Sequence, residues 1–189
     1  MGQRLRLSGH AATARPDRHP ADVIDLIMAD HRRIRRLSES LEVAARHHAD
    51  SGQDWMLAHV WQRLAGLLGA HTRAEEEICY PLCRCSRPDA GRRRGAIDDH
   101  EDIREAIGEA SLQRVGSPLW WRAVRAVVAA SAGHLGREER DVLPCCLARL
   151  TVSQRRELGR QWLRFIAAWR LDAQPEFRSG LPGGRTGLS

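Results

Sequence analysis

The sequence contains an internal repeat in which the same three residues recur 63 positions later. The repeated residues are His71, Glu75 and Pro81 in the first segment and His134, Glu138 and Pro144 in the second. The surrounding letters agree as well, HTRAEEEICYP against HLGREERDVLP, and apolar residues recur around both segments at three- and four-residue steps. This spacing predicts helices, in which residues four apart lie on one face. The repeat therefore predicts a helical fold with two related His-x3-Glu helices.

The remainder of the chain is also helical in pattern and shows no strand alternation. We predict helices over about 21–48, 53–80, 96–115, 118–144 and 153–170, with a loop over 83–95. Four helices of this length joined by short breaks predict an all-α fold, an antiparallel up-down four-helix bundle, which the fifth helix caps or extends. The predicted organisation is a disordered arm over 1–20, the bundle over 21–150, a C-terminal amphipathic helix over 151–171 and a disordered tail over 172–189.

Two further histidines, His31 and His100, fall on the inner stripes of the first and third helices. Together with the repeat, they bring four imidazoles and two carboxylates into one bundle interior. A buried carboxylate is unfavourable unless it is paired or binds a metal. Two neighbouring cations repel, so carboxylates must bridge them while histidine nitrogens fill the outer positions. The pattern therefore predicts a dinuclear metal site, although each histidine taken alone could be an ordinary core residue.

The other five histidines lack this context. We expect His47, His48 and His59 to be solvated, and His10 and His19 to lie in the arm.

Among metals, the donor set favours iron. Nitrogen and carboxylate ligands suit iron, manganese or zinc. A structural zinc site would use four tetrahedral ligands, usually with cysteine, whereas six ligands favour two ions with open positions. No Glu-x-x-His occurs, which disfavours the ferritin-like carboxylate bundles. His100-Glu101 does not continue to the HExxH of zinc proteases, because residue 104 is arginine.

At these residues the chain resembles the hemerythrin-like, or HHE cation-binding, proteins. The motifs that carry the resemblance are D30-H31, H71-TRA-E75-EEICYP, DDH100-EDIREAI and H134-LGR-E138-ERDVLP, spread over about 21–150. The resemblance implies a non-haem di-iron centre, an oxo- or hydroxo-bridged pair of iron ions. Its implied ligands are His31, His71, Glu75, His100, His134 and Glu138, with the two glutamates bridging. It also implies a small partner, O2, NO or peroxide, because family members bind oxygen, sense it, handle NO or peroxide, or supply iron for cluster repair.

The chain departs from the oxygen-carrier pattern at two places. Carriers have a second histidine four residues after the first on the third helix, where this chain has Arg104. Arginine stays protonated and is a poor ligand. Carriers also place the fourth-helix carboxylate five residues from its histidine, whereas Glu138 is four residues from His134. We therefore expect faster autoxidation than in a carrier; Arg104 is either a charged lid residue near a bound ligand or a solvent-facing side chain.

Charge and hydropathy limit the other function classes. The net charge is +6, and all 30 basic residues are arginine. This basicity permits nucleic-acid binding, but no recognised motif accompanies it, so we expect no nucleic-acid partner. The densest charge run is Arg92, Arg93 and Arg94, which we place in a solvated loop. No apolar run is long enough for a membrane span and no secretory signal is recognisable, so we expect a cytoplasmic protein with no membrane partner.

The five cysteines are odd in number, and without an export signal they predict reduced thiols. Cys79 follows Glu75 by four residues, and the other four, Cys83, Cys85, Cys145 and Cys146, follow the two matching prolines. They are either incidental buried thiols, a redox pair or a small zinc site. On the fifth helix, Trp162, Phe165 and Trp169 are expected to pack on the bundle rather than bind a partner.

Several functions stay open at this point. The first is binding of O2, NO or peroxide in sensing or in oxidative and nitrosative stress. The second is an enzyme that reduces NO or peroxide at the same centre. The third is an iron donor, and the fourth is a regulatory interaction module whose partner surface follows the metal state; the sequence does not name a protein partner.

Overall fold

The computed structural model describes residues 22–51, 54–82 and 87–172, apart from the side chains at 47–51, 87–94 and 171–172. In these ranges every regular element is helical, and the helices pack as a bundle. The elements are α1 (Val23–Ser51), α2 (Asp54–Ala74), a first π-helical turn (Glu75–Cys79), α3 (Arg87–Ser111), α4 (Pro118–Arg137), a second π-helical turn (Glu138–Val142), α5 (Leu143–Arg149) and α6 (Val152–Asp172). Because each π turn continues its helix, they form five rods. The predicted arm and most of the predicted tail lie outside the described residues.

Two predicted boundaries are wrong. The segment 83–95 was expected to be a loop, but α3 already begins at Arg87, so Arg92, Arg93 and Arg94 belong to a helix. Pro88 occupies the second position of α3, where the ring pre-organises the backbone and its missing N–H costs nothing. The fourth rod was expected to end near Pro144, but it continues through α5, and Pro144 stands in the first turn of α5, directly after the π turn.

The connection between α3 and α4 is built as its residues predict. Gly116 has a φ of 78°, which only glycine adopts without strain. Ser117 then caps α4, accepting a hydrogen bond from the backbone N–H of Trp120 at 3.2 Å, and Pro118 opens the helix. This sharp turn fixes where α4 starts and therefore at which level its His134 lies.

The core consists of two apolar clusters with a polar layer between them. One cluster is centred on residues such as Leu64, Leu68 and Trp120, and the other on residues such as Ile27 and Leu158. On four of the rods, the buried histidine lies between a residue of one cluster and a residue of the other. These neighbours are Ile27 and Ile34 for His31, Leu68 and Ala74 for His71, Ala96 and Ile103 for His100, and Val127 and Leu143 for His134. The polar layer is thus sealed from water above and below.

The last helix, α6, closes one side of this layer. It packs on α1, α2 and the first π turn. Trp162 is 2% exposed and its ring meets the His71 ring edge-on, with centroids 5.7 Å apart. Phe165 and Trp169 are half-buried and stack on each other. The prediction that the aromatic residues of this helix pack on the bundle is confirmed.

Trp162→Ala is expected to lower the free energy of unfolding by about 3–4 kcal/mol, because it removes a fully buried aromatic ring and leaves a cavity. Urea denaturation of the metal-free protein measures this loss. Leu163→Ala is the control, since Leu163 is the next residue on the same helix and is 49% exposed. Equal losses in both variants would contradict the packing of α6 on the bundle.

In the part of the chain that the structure describes, no helix has the length and apolar character needed to cross a membrane.

Candidate metal centre

The structure brings all six predicted site residues together in the polar layer. They are His31 from α1, His71 and Glu75 from the second rod, His100 from α3, and His134 and Glu138 from the fourth rod. Each is buried. Their donor atoms form two groups, within each of which every pair lies within 4.8 Å. The first group comprises His31, His71, Glu75 and Glu138, and the second comprises Glu75, His100 and His134.

Both glutamates stand at the start of a π-helical turn. Glu75 opens the first and Glu138 opens the second, so the sequence repeat is also a repeat of this rare backbone geometry. A π turn inserts one extra residue into a helix and occurs mostly at functional sites. In both segments two successive glutamates contact the two nitrogens of one imidazole, Glu75 and Glu76 those of His100, and Glu138 and Glu139 those of His31.

Glu75 lies at the centre of the cluster. Its Oε1 lies 2.9 Å from His71 Nε2, and its Oε2 lies 3.1 Å from His100 Nε2 and 3.5 Å from His134 Nε2. Glu138 Oε2 lies 3.2 Å from His31 Nε2 and 3.6 Å from His134 Nε2. All four imidazoles therefore present Nε2 to the interior. Each of the two glutamates contacts at least one histidine of each group.

Each imidazole turns its other nitrogen, Nδ1, towards a second carboxylate farther out. We call Asp30, Glu76, Asp99 and Glu139 the outer carboxylates. His31 Nδ1 lies 2.8 Å from Glu139, and His100 Nδ1 lies 2.9 Å from Glu76. The Nδ1 atoms of His71 and His134 lie 3.9 Å from Asp30 and 3.6 Å from Asp99. A carboxylate on Nδ1 holds the proton there and leaves the Nε2 lone pair for a metal.

The pKa values of the two glutamates in the cluster are shifted in opposite directions. Burial favours the neutral form of Glu75, but the charge of His71 and the close contacts with His100 and His134 hold its pKa well below 4.5. Burial and the charge of Glu75 raise the pKa of Glu138 above that value, and the contact with His31 only partly offsets them. For His71, the neighbouring Glu75, Asp30 and Glu138 outweigh burial and raise the pKa to about 10. Without a metal, positive charge is therefore held here by protons.

The residues fit a bound cation. His71 Nε2 and Glu75 Oε1 are fully buried and have no hydrogen-bond partner of good geometry among the described residues. His100 Nε2 and His134 Nε2 face each other at 3.1 Å. When both rings hold their proton on Nδ1, two lone pairs meet at this distance, which is repulsive unless a cation or an extra proton lies between them. Buried donor atoms that face one another without forming a hydrogen bond are expected where a metal ion binds between them.

A family model described as hemerythrin HHE cation binding domain matches residues 22–146, well over half of the chain. The chain belongs to this hemerythrin family. No curated protein and no solved structure matches it. The resemblance read from the four histidine segments is confirmed, and the family domain ends before α6 begins.

The hemerythrin domain contains functional candidates that the six-residue prediction omits. The outer carboxylates occupy regular positions in the sequence. An Asp precedes the buried histidine of the first and of the third helix, and a Glu follows each of the two inner glutamates. A second candidate is Tyr80, whose hydroxyl donates a hydrogen bond to Glu75 Oε2 at 3.3 Å. Its ring stacks on the His100 ring. Burial and the charges of Glu75 and Glu138 raise the Tyr80 pKa, so its hydroxyl keeps its proton.

Arg104 fits each of the two expectations for it only in part. It is 42% exposed, but its Nη1 donates to Glu76 Oε1 at 2.8 Å, so it acts on His100 through an outer carboxylate. Arg35 does the same to Glu139, also at 2.8 Å. Each arginine lies four residues after a buried histidine. Arg104 stands where the oxygen carriers have a second histidine on the third helix, and its ion pair with an outer carboxylate has a counterpart on the first helix.

The expectation of reduced thiols is wrong for Cys146, which is disulfide-bonded. Cys79 is a buried thiol, and burial together with the charge of Glu75 raises its pKa. In the described ranges, neither group that could hold a metal includes a cysteine. Cys83 and Cys85 lie outside those ranges.

Of the remaining histidines, His59 is exposed as predicted. His10 and His19 lie outside the described residues, as do the side chains of His47 and His48.

Glu76→Gln is expected to weaken metal binding about tenfold to a hundredfold, because it removes the carboxylate that holds the His100 ring and its proton. A competition titration against a chromophoric chelator measures the change. Glu77→Gln is the matched control, since this neighbour in the same π turn is 46% exposed and pairs with Arg73 at the surface. Equal affinities for Glu76→Gln and wild type would contradict the role of the outer carboxylates.

Proposed function

We propose that the protein holds a non-haem di-iron centre that binds O2, NO or peroxide, in sensing or in the response to oxidative and nitrosative stress. The observation that carries this proposal is the pair of buried donor groups that share Glu75. A carboxylate common to two cation positions offsets the repulsion between the cations. The proposed ligands are His31, His71, Glu75 and Glu138 at one iron and Glu75, His100 and His134 at the other, with Glu138 close enough to bridge.

The protein's own groups divide the work around this centre. Glu139 and Glu76 fix the orientation and the tautomer of His31 and His100 through hydrogen bonds to Nδ1. Asp30 and Asp99 lie 3.9 and 3.6 Å from the Nδ1 atoms of His71 and His134. Tyr80 holds a proton at its hydroxyl, 3.3 Å from the shared Glu75, where it can hydrogen-bond to a bound ligand. The two apolar clusters exclude water and strengthen every electrostatic interaction in the layer. Iron bound here would supply ligand coordination and one-electron redox chemistry.

A small apolar cavity beside the centre supports a diatomic or peroxide-sized ligand. It has a volume of about 10 Å³, which leaves room for about one water-sized molecule. Glu138 and Tyr80 contribute to its wall, and the rest is mainly aliphatic, including Ile27, Leu143 and Leu158. This cavity has no room for a molecule much larger than a diatomic.

We also propose the antiparallel up-down order for the first four rods. The chain passes from α1 to α2 through residues 52 and 53 alone, whereas α1 is 29 residues long. At about 1.5 Å per residue, that helix spans about 43 Å, and two connecting residues reach only about 7 Å. The chain cannot return to the other end of the bundle, which supports antiparallel neighbours.

Metal content per chain tests the proposal. Protein expressed in iron-supplemented medium is expected to contain about two irons by elemental analysis. His71→Ala is expected to lose at least one, whereas His59→Ala, on the same helix but exposed, keeps both. About one zinc that survives His71→Ala would contradict the proposal and point to the cysteines.

The role of the loaded centre is tested separately. If it binds O2, the centre is expected to autoxidise quickly, because each iron has only two imidazoles and Arg104 replaces a third. An oxygen complex that lasts for hours would contradict this expectation. Turnover of NO or peroxide with an anaerobic reductant would instead identify a reductase, the alternative that the nearby Cys146 disulfide favours.

A further inference from the structure

A second cavity joins the inner cluster to the surface between α3 and the second π turn. It has a volume of about 130 Å³ and room for several water molecules. Its inner wall contains His134 and Glu138, which are both 1% exposed or less. Its outer wall contains Gly95 and Asp141, which are both exposed. The cavity therefore connects solvent with two of the predicted metal ligands.

Charge decides which class of solute this cavity favours. Outside the inner cluster, its wall carries two carboxylates, Asp99 and Asp141, against one guanidinium, that of Arg137. An excess of negative charge at close range attracts a divalent cation, repels an anion and does not select a neutral diatomic. Fe²⁺, which non-haem sites bind through histidine and carboxylate together, also accepts carboxylate oxygens in place of water.

The buried end of the cavity contains a donor atom that no hydrogen bond satisfies. His134 Nδ1 is buried, and the nearest carboxylate, that of Asp99, lies 3.6 Å away without forming a hydrogen bond. Asp99 is instead bound by Arg137, whose Nε donates to Oδ2 at 2.9 Å. Arg137 is 52% exposed, and an ion pair this accessible to water opens at little cost. Asp99 can therefore alternate between Arg137 and a passing cation.

From these observations we infer that this cavity is the route by which divalent metal ions reach and leave the centre. Asp141 attracts the hydrated ion at the mouth, Asp99 replaces part of its water shell when Arg137 swings away, and His134 and Glu138 receive it. The inference rests on the proposed metal centre and adds how that centre is filled. A protein that exchanges iron through such a route can act as an iron donor as well as a ligand-binding protein.

Two glycines of α3 provide a matched test. A Cβ added at Gly95 or at Gly108 meets no atom within 4 Å, so both positions accept a larger side chain. Gly95 lines the cavity, whereas Gly108 is more than three helical turns away and does not line it. Replacing a helical glycine stabilises rather than destabilises. Gly95→Leu should therefore narrow the route without unfolding the protein, and Gly108→Leu controls for the substitution itself.

The experiment follows anaerobic uptake of Fe²⁺ by the metal-free protein, and its release to a chelator, by stopped-flow absorbance. Gly95→Leu is expected to slow both rates about tenfold with unchanged final iron content, and Gly108→Leu to match wild type. Asp141→Asn is expected to slow uptake about fivefold at low salt and less at high salt, and Arg137→Gln to speed it by a similar factor. Glu109→Gln, at the other end of α3, removes the same charge as a control.

The possible outcomes separate the inference from the proposed function. Uptake rates that are equal in Gly95→Leu and Gly108→Leu, in a wild type that holds two irons, would overturn the route and leave the centre intact. Uptake that does not respond to Asp141→Asn at low salt would overturn the electrostatic attraction. A wild type that takes up no metal would remove the proposed centre itself.

Discussion

Replacing Glu75 by glutamine is expected to abolish metal binding at both positions, whereas replacing Glu138 by glutamine is expected to spare one ion. Glu75 is the only residue that belongs to both donor groups of the described chain. Its two oxygens lie within 3.5 Å of histidines from three different rods. Glu138 belongs to one group, and its contact with the other, to His134, is 3.6 Å long. The sequence repeat makes the two glutamates look equivalent, and the structure makes them unequal.

The size of the effect follows from charge. Glutamine keeps the shape of Glu75 but removes the negative charge between two cations, whose mutual repulsion is then uncompensated in a layer with little water. Elemental analysis is expected to find about two irons in wild type, about one in Glu138→Gln and almost none in Glu75→Gln. Glu77→Gln controls for a charge change in the same π turn. Equal losses in the Glu75 and Glu138 variants would contradict the central position of Glu75.

The sequence predicted the inner site because its two periodicities coincide. The helical spacing of apolar residues identifies the buried stripes, and the repeat at 63 residues places a His and a Glu on two of them. The six residues therefore could be named without coordinates. The outer carboxylates could have been found too, because Asp30 and Asp99 both precede a buried histidine, but their partners lie on other helices and a pattern within one helix does not identify them.

Other features could not be read from the sequence. From the sequence, Arg104 lies either near a bound ligand or in solvent. Its side chain reaches Glu76 on another rod, and only the packing of the rods decides that contact. The start of α3 was misplaced, because a charged segment with glycine and proline resembles a loop until the position of Pro88 within the first turn is known.

The metal-free protein is expected to lose stability as the pH rises from about 6.5 to 10. The pKa of His71 is raised from 6.5 in the unfolded chain to about 10 in the folded one. A raised histidine pKa contributes stability that is fully present below 6.5 and is lost as the pH passes through the folded value. The slope for one proton is about 1.4 kcal/mol per pH unit, so the loss reaches about 4 kcal/mol by pH 10.

The carboxylates set the acid side of the same curve. The pKa of Glu75 is lowered below 4.5, so its contribution is present above that value and is lost as the pH falls through the folded pKa. Glu138 has a raised pKa and therefore destabilises the fold once the pH exceeds its unfolded value. Stability of the metal-free protein is expected to be greatest between about pH 4.5 and 6.5. Bound metal replaces the protons on these ligands, so the loaded protein should instead gain stability as the pH rises towards neutrality.

Urea denaturation across pH, with the metal-free and the loaded protein, measures both curves. His71→Gln is expected to flatten the alkaline limb of the metal-free curve, and His59→Gln, an exposed histidine on the same helix, is expected to leave it unchanged. Because a glutamine at 71 also disturbs packing, Glu75→Gln serves as a second variant: it removes the first charge that raises the His71 pKa and should flatten the same limb. A metal-free protein whose stability does not fall between pH 6.5 and 10 would contradict a charged, proton-held cluster, and with it the view that the metals occupy positions kept open by protons.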